Sequence, residues 1–203
     1  MPSRRHDPER KRLELVESAA AAFAERGYRR TTIDEIARRA GIAKGTVYLY
    51  FKDKEDLFYA SFEWFSQQSM ADAGPALAAA GDTGSRLRAL AEAAARFMTE
   101  HRQWYPLTLE VWAAAGSHDA RQRFADAMRE MYHGYRQATA TIIAAGQASG
   151  ELRADLDANA LGAMLTGAVD GLLLQCWFEP SLDPLPLIQG LFEPLLRGMR
   201  AAA

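Results

Sequence analysis

At roughly 150 residues per domain, the 203-residue chain holds one domain or two small ones. With 49% hydrophobic and 25% charged residues it is globular rather than disordered, and a net charge of -2 argues against a chain that binds polyanions along its whole length. About a fifth of the residues are alanine and long alternating Val/Ile/Thr runs are absent, which favours an all-helical protein over a sheet-based enzyme.

Asp7-Pro8 begins the first helix, an N-cap followed by proline at the first helical position. Leu15, Ala19 and Phe23 share a face, and Gly27 is expected to end the helix. Thr32-Ile33-Asp34-Glu35 is a capping box for a second helix, closed by Gly41 after about two turns. A third short helix is expected from Lys44 to about Phe51, and a fourth, capped by Asp53, to about Ala71. Gly74-Pro75 and Gly81-Asp82-Thr83-Gly84 read as weak, linker-like points. Helical segments then follow at 84–101, 104–115, 118–149 (Ser117 cap, Gly150 stop) and 157–178 (Asp157 cap). A last segment runs from Asp183-Pro184 to about Arg200, with Pro194 as an expected kink. The sum is about nine helices in two parts, 1–55 and 56–203.

The net charge hides an asymmetry. Residues 1–50 carry 11 Lys+Arg against 7 Asp+Glu, or +4, and the remainder is -6. The basic end holds two short helices joined by a glycine turn, a helix-turn-helix. Gly41 can end the first helix in the left-handed conformation, and the second exposes Lys44, Gly45 and Thr46 at its start. Such a helix enters a DNA major groove with its first residues on base edges. Tyr48 and Tyr50 are placed to reach phosphates with their hydroxyls, Lys52 and Lys54 extend the basic rim, and Thr31 and Thr32 offer hydroxyls at a helix N-terminus. Arg38 and Arg39 read as a solvated face and Arg4 and Arg5 as a frayed terminus.

The stretch from about Arg10 to Trp64 resembles the DNA-binding domain of the TetR family of transcriptional regulators. The matching residues are Ala19, Phe23, Gly27-Tyr28, Thr31-Thr32-Ile33-Asp34-Glu35-Ile36-Ala37 and Ala40-Gly41-Ile42. They continue through Lys44-Gly45-Thr46-Val47-Tyr48-Leu49-Tyr50-Phe51 and Lys52-Asp53-Lys54-Glu55-Asp56-Leu57. One departure is Ala43, where the family often has a capping serine; losing a cap costs roughly 0.5–2 kcal/mol. The resemblance implies a homodimer that places Lys44–Phe51 of each subunit in successive major grooves of a palindromic operator. It also implies a C-terminal helical domain that binds a small molecule, usually to relieve repression. Carried over by position, Lys44, Gly45 and Thr46 are the base contacts, and Thr32, Tyr48, Tyr50 and Lys54 the phosphate contacts.

The C-terminal part is rich in aromatics and methionines that suit either a core or an apolar ligand cavity. The residues expected to line a pocket are Phe97, Trp104, Trp112, Met128, Tyr132 and Met164; Glu110 reads as a solvated position or as a contact to a polar ligand. The segment 157–178 and the last helix look like the family's dimerisation pair, with Leu161, Leu165, Leu172, Gln175 and Trp177 as interface candidates. Asp170, if buried, must be hydrogen-bonded, and it reads as a brace or cap for a neighbouring helix rather than as a ligand contact.

The four histidines form no i, i+4 pair with carboxylates, and no G-x-S-x-G, Walker or G-x-G-x-x-G motif occurs, so no catalytic residue, metal or cofactor is expected. A single cysteine, Cys176, precludes an intrachain disulfide, and the N-terminal charges are followed by no apolar run typical of a signal peptide. The most apolar run, Leu161–Phe178, is broken by Asp170 and Gln175; a soluble, cytoplasmic protein is expected. The principal expectation is a repressor released from DNA by a largely apolar effector. The alternatives are an activator or ligand-independent regulator and, from another class, a helical binder or enzyme with a vestigial DNA-reading end.

Overall fold

The computed structural model describes residues 7–115 and 121–200. The expected Ser117 cap, His6, His118 and the Arg4/Arg5 arm lie outside the described residues. Among the described residues there are nine α-helices: α1 (Pro8–Arg30), α2 (Ile33–Arg39), α3 (Lys44–Val47), α4 (Lys54–Ala79), α5 (Thr83–Glu100), α6 (Tyr105–Ala115), α7 (Arg121–Ser149), α8 (Ala158–Phe178) and α9 (Pro184–Met199). A 3-10 turn, Arg102–Trp104, precedes α6, and the one extended pairing described is an isolated bridge between Leu152 and Arg200.

The helix starts follow local chemistry. Asp7 accepts from the backbone N–H groups of Glu9 and Arg10, Asp157 from those of Asn159 and Ala160, and Asp183 from that of Leu185. Each satisfies donors that a helix start otherwise leaves unpaired. Thr32 accepts from Glu35 N–H at 3.3 Å, half of a capping box; the Glu35 carboxylate pairs with Arg26 instead.

Three expected boundaries shift. Gly27 (φ 76°, ψ 160°) kinks α1 without ending it, and a further turn follows to Arg30. The third helix is one turn long, ending at Val47 rather than Phe51, because Tyr48–Tyr50 continue as turns. Ala43 makes no side-chain capping bond to steady it. α4 runs through Gly74 and Pro75 to Ala79, where a linker was expected. Ala73 and Leu77 pack against Leu90 and Ala93 of α5, and this anchoring offsets the backbone hydrogen bond that Pro75 removes. Likewise α9 continues through Pro194.

The chain forms two compact units: residues 1–67 with 103–128, and residues 68–102 with 129–203. The first has a core of Leu15, Ala19 and Phe23 from α1, Ile36 from α2, Val47 from α3 and Leu57, Phe58 and Phe62 from α4. Phe58 is its hub, edge-on to Phe23 at 5.0 Å and beside Tyr28 at 4.8 Å and Phe124 at 5.6 Å. The second is built on Leu87, Ala95, Ile143, Leu165, Ile188, Phe192 and Leu196. Gly162 allows a close crossing of α8 and α7: a Cβ there would lie 2.8 Å from the Arg136 carbonyl oxygen.

Candidate nucleic-acid interface

The helix-turn-helix is α2, a turn at Gly41, and α3. Gly41 sits at φ 66°, the left-handed region that glycine enters without penalty. Its N–H and that of Ile42 cap the end of α2 by bonding Arg38 O at 3.2 Å and Ala37 O at 2.9 Å. Val47 and Phe51 bury the back of α3, while Lys44 and Gly45 are exposed and Thr46 half-exposed. Nothing lies within 4 Å of a Cβ placed on Gly45, so packing does not require glycine there. The three residues expected to read bases thus share one accessible helix start. Lys44 Nζ bonds the Asp34 carboxylate of α2 at 2.8 Å. Both groups are exposed, and surface pairs of this kind exchange readily for another anion.

The expected phosphate contacts divide. Thr32 is exposed, Tyr48 is 49% exposed and Tyr50 half-buried, so their hydroxyls remain on or near the surface. Lys54 is engaged within the chain: its ammonium donates to Tyr28 O at 2.9 Å and Thr31 O at 3.1 Å and lies 4.3 Å from the centre of the Tyr28 ring. Two of its three protons are spent closing the end of α1, so it ties α4 to α1 rather than facing outward. Thr31 is also withdrawn, because its buried hydroxyl donates towards Ala22 O and Gly27 O. Arg39 is held by Glu25, whereas Arg29, Arg38 and Lys52 are exposed and carry no described side-chain ion pair.

The sequence assigns no role to Leu49 and leaves Glu110 between two readings. Leu49, just after α3, is 80% exposed beside Tyr48; its only signal was an apolar residue with no helical partner at i+4. Glu110 of α6 is half-buried and engaged within its own unit. Its carboxylate accepts the Tyr28 backbone N–H at the α1 kink, and its Oε1 would lie 2.6 Å from a Cβ on Gly27. Only glycine gives both the φ and the room for this clamp.

The residues expected to line a pocket do not gather in one unit. Trp104, Trp112 and Met128 belong to the first; Phe97, Tyr132 and Met164 belong to the second. Trp104 stacks on Trp64 at 4.8 Å, and Met128 is buried. The Trp112 indole N–H is buried with no acceptor among the described residues. Phe97 is core, edge-on to His101 at 4.5 Å, and Tyr132 donates to Asp170 Oδ2 at 2.9 Å. Met164 is 70% exposed on α8.

The dimer candidates fall on more than one side of α8. Leu165 is buried in the second unit's own core, and Leu161 and Leu172 pack against it, because α8 is apolar on more than one side. Trp177 is half-buried, with the Arg102 guanidinium 5.0 Å above its ring. Gln175 alone of the five lies on the open stripe, which runs through Ala160, Met164, Ala168, Gln175 and Phe178. On α9 a matching exposed stripe runs through Leu187, Gly190, Leu191, Pro194 and Gly198. By length and composition alone α8 passes for a membrane span, a test that a core helix of a soluble protein also passes; 17% of its most apolar window is buried.

Comparison with known proteins agrees with this layout. The family model described as "Bacterial regulatory proteins, tetR family" matches residues 15–60, and "BetI-type transcriptional repressor, C-terminal" matches residues 84–190. The fatty acid metabolism regulator protein of Bacillus subtilis is 26% identical over 192 residues, covering 93% of this chain and 95% of its own. Two solved structures share the fold. The regulator FadR from Bacillus subtilis, in complex with stearoyl-CoA, superposes with a TM-score of 0.78 at 23% identity, over 93% of this chain and 99% of its own. A transcriptional regulator from Saccharomonospora viridis, in complex with choline, gives 0.79 at 22% identity, over 96% and 100%.

Proposed function

The chain belongs to the TetR family of bacterial transcriptional regulators, and from that premise we propose that it is a homodimeric repressor released from a palindromic operator by a small, largely apolar effector. The observation that carries the reading is α3: a helix start of Lys44, Gly45 and Thr46, open to solvent and backed by buried Val47 and Phe51. Those three residues meet base edges in the major groove, where Lys44 exchanges Asp34 for a guanine acceptor and Thr46 offers a hydroxyl and a methyl. Thr32, Tyr48 and Tyr50 meet phosphates beside them, and Leu49 packs on a thymine methyl or a sugar.

Residues 1–55 do the reading, and 56–203 bind the effector and pair the subunits; the two matched family spans support that division. One head of net charge +4 holds a phosphate backbone weakly, so two heads must act together. The open apolar stripes of α8 and α9 supply the pairing surface, as a four-helix bundle with the same helices of a second copy. FadR's stearoyl-CoA and the choline of the second relative differ widely in chemistry, so the shared fold does not fix this chain's effector. The family and the named relatives are regulators rather than enzymes. Action on chromosomal DNA places the protein in the cytoplasm.

A reporter driven by the promoter of the neighbouring operon tests the sign. Deleting the gene raises output if the protein represses and lowers it if it activates. A compound found by thermal shift should raise output in the wild type and leave the deletion strain unchanged.

A further inference from the structure

In the second unit α7 and α8 bring together a half-buried carboxylate and two tyrosines. Asp170 lies mid-α8, on the flank of the helix away from the open stripe. Its Oδ2 accepts the Tyr132 hydroxyl at 2.9 Å. Its Oδ1 has no partner, and no lysine, arginine or histidine among the described residues forms an ion pair with it. One turn along α7, Tyr135 holds Ser69 of α4 through its hydroxyl at 2.6 Å. Burial, and after it the Asp170 charge, push the Tyr135 phenol up.

A carboxylate partly removed from water normally has a cation beside it, because desolvation penalises the ionised form. This one has a single neutral hydrogen bond. Burial pushes its carboxyl above the usual range, and the Tyr132 bond only partly offsets that. The Tyr132 bond also fixes the orientation of the carboxylate, leaving one oxygen directed elsewhere. A group in this condition, held in a preset geometry by an aromatic hydroxyl, is matched to a partner that arrives with a ligand.

We propose that Asp170, oriented by Tyr132, is the recognition point for a cationic amine on the effector, which makes that effector an apolar amine rather than a neutral or anionic lipid. An ammonium donates to Oδ1, so its charge replaces the missing counter-ion. The proposal rests on the reading of the protein as an effector-responsive regulator, and it deepens that reading by naming the charge of the effector.

The test uses the intact protein and matched probes: n-alkylamines from butylamine to decylamine, each titrated calorimetrically against the alcohol and carboxylate of equal length. In the wild type at least one amine should bind tenfold or more tightly than its alcohol. In Asp170→Asn that advantage should vanish while alcohol affinity stays within about twofold, and Tyr132→Phe should fall between. Equal affinity for amine and alcohol, no amine binding at all, or an unchanged preference in Asp170→Asn overturns the proposal. So does dissociation of the dimer in Asp170→Asn by sedimentation, which assigns the carboxylate to the subunit contact. The same samples are titrated with operator DNA. Operator binding without an amine preference defeats this proposal alone, and an amine preference without operator binding defeats only the regulator reading.

Discussion

The helix-turn-helix face and the α8–α9 face both lie open to solvent, for opposite physical reasons. Around α3 the open groups are polar or small: Lys44, Gly45, Thr46 and Tyr48, with Val47 and Phe51 buried behind. Such a surface is well solvated as it stands, and its partner must offer charge and hydrogen bonds. On α8 and α9 the open groups are Met164, Phe178 (73% exposed), Leu187 and Leu191. A contiguous apolar surface like this is costly in water and marks a place where another protein surface belongs. One face therefore specifies what is read, and the other specifies that two readers act together.

The sharpest way to separate the faces is to damage each alone. Gly45→Asp puts an anionic side chain where no packing constrains it. Operator affinity should fall more than about 100-fold while the melting temperature moves by no more than about 1 °C, because the damage is to base and phosphate contact alone. A comparable loss of stability would show that α3 is a packing element and break the comparison. Met164→Asp with Leu191→Asp should shift the dimer dissociation constant about 100-fold in sedimentation equilibrium. Half-site binding should survive in that variant, whereas binding to the full palindrome should weaken.

Smaller effects sharpen the account of what holds the head in place. Gly27→Ala must adopt φ 76° and collide with Glu110, so it should cost about 1–3 kcal/mol by urea unfolding. Lys54→Ala should cost about 1–2 kcal/mol and leave the salt dependence of DNA binding unchanged, since its ammonium is committed to the carbonyls of Tyr28 and Thr31. A shallower salt slope in that variant would return Lys54 to the phosphate backbone.

These cases show what the sequence could and could not say. The helix-turn-helix was readable because its signals are local: the Asp7 and Thr32 caps, Gly41 with positive φ, and the spacing of Val47 and Phe51. The intrachain contacts of Lys54 are not legible in the sequence, because its neighbours there look like a basic rim while its partners are 26 and 23 residues away. Glu110 was unreadable for the same reason, meeting Tyr28 across 82 residues. On α8 the composition is apolar nearly all round, so periodicity alone could not separate the inward Leu161, Leu165 and Leu172 from the outward Met164.

The smallest expected effect concerns pH. The Asp170 carboxyl is raised by burial, so the folded state keeps its proton to higher pH than the unfolded chain does. Its contribution is fully present below the unfolded value near pH ~3.9 and is lost as pH rises through the folded value. Asp170→Asn removes that loss. Its melting temperature relative to wild type should be level at acid pH and about 1–2 °C higher at neutral pH, reduced by the partial exposure of the group.

The most direct test of the central claim is the affinity of the intact protein for a palindrome selected from random DNA, measured against a scrambled duplex of equal length at ~150 mM salt. A reading head built on Lys44, Gly45 and Thr46 predicts a preference of about 1,000-fold or more that collapses in Thr46→Ala. Equal affinity for the two duplexes, or an undiminished preference in Thr46→Ala, would contradict it.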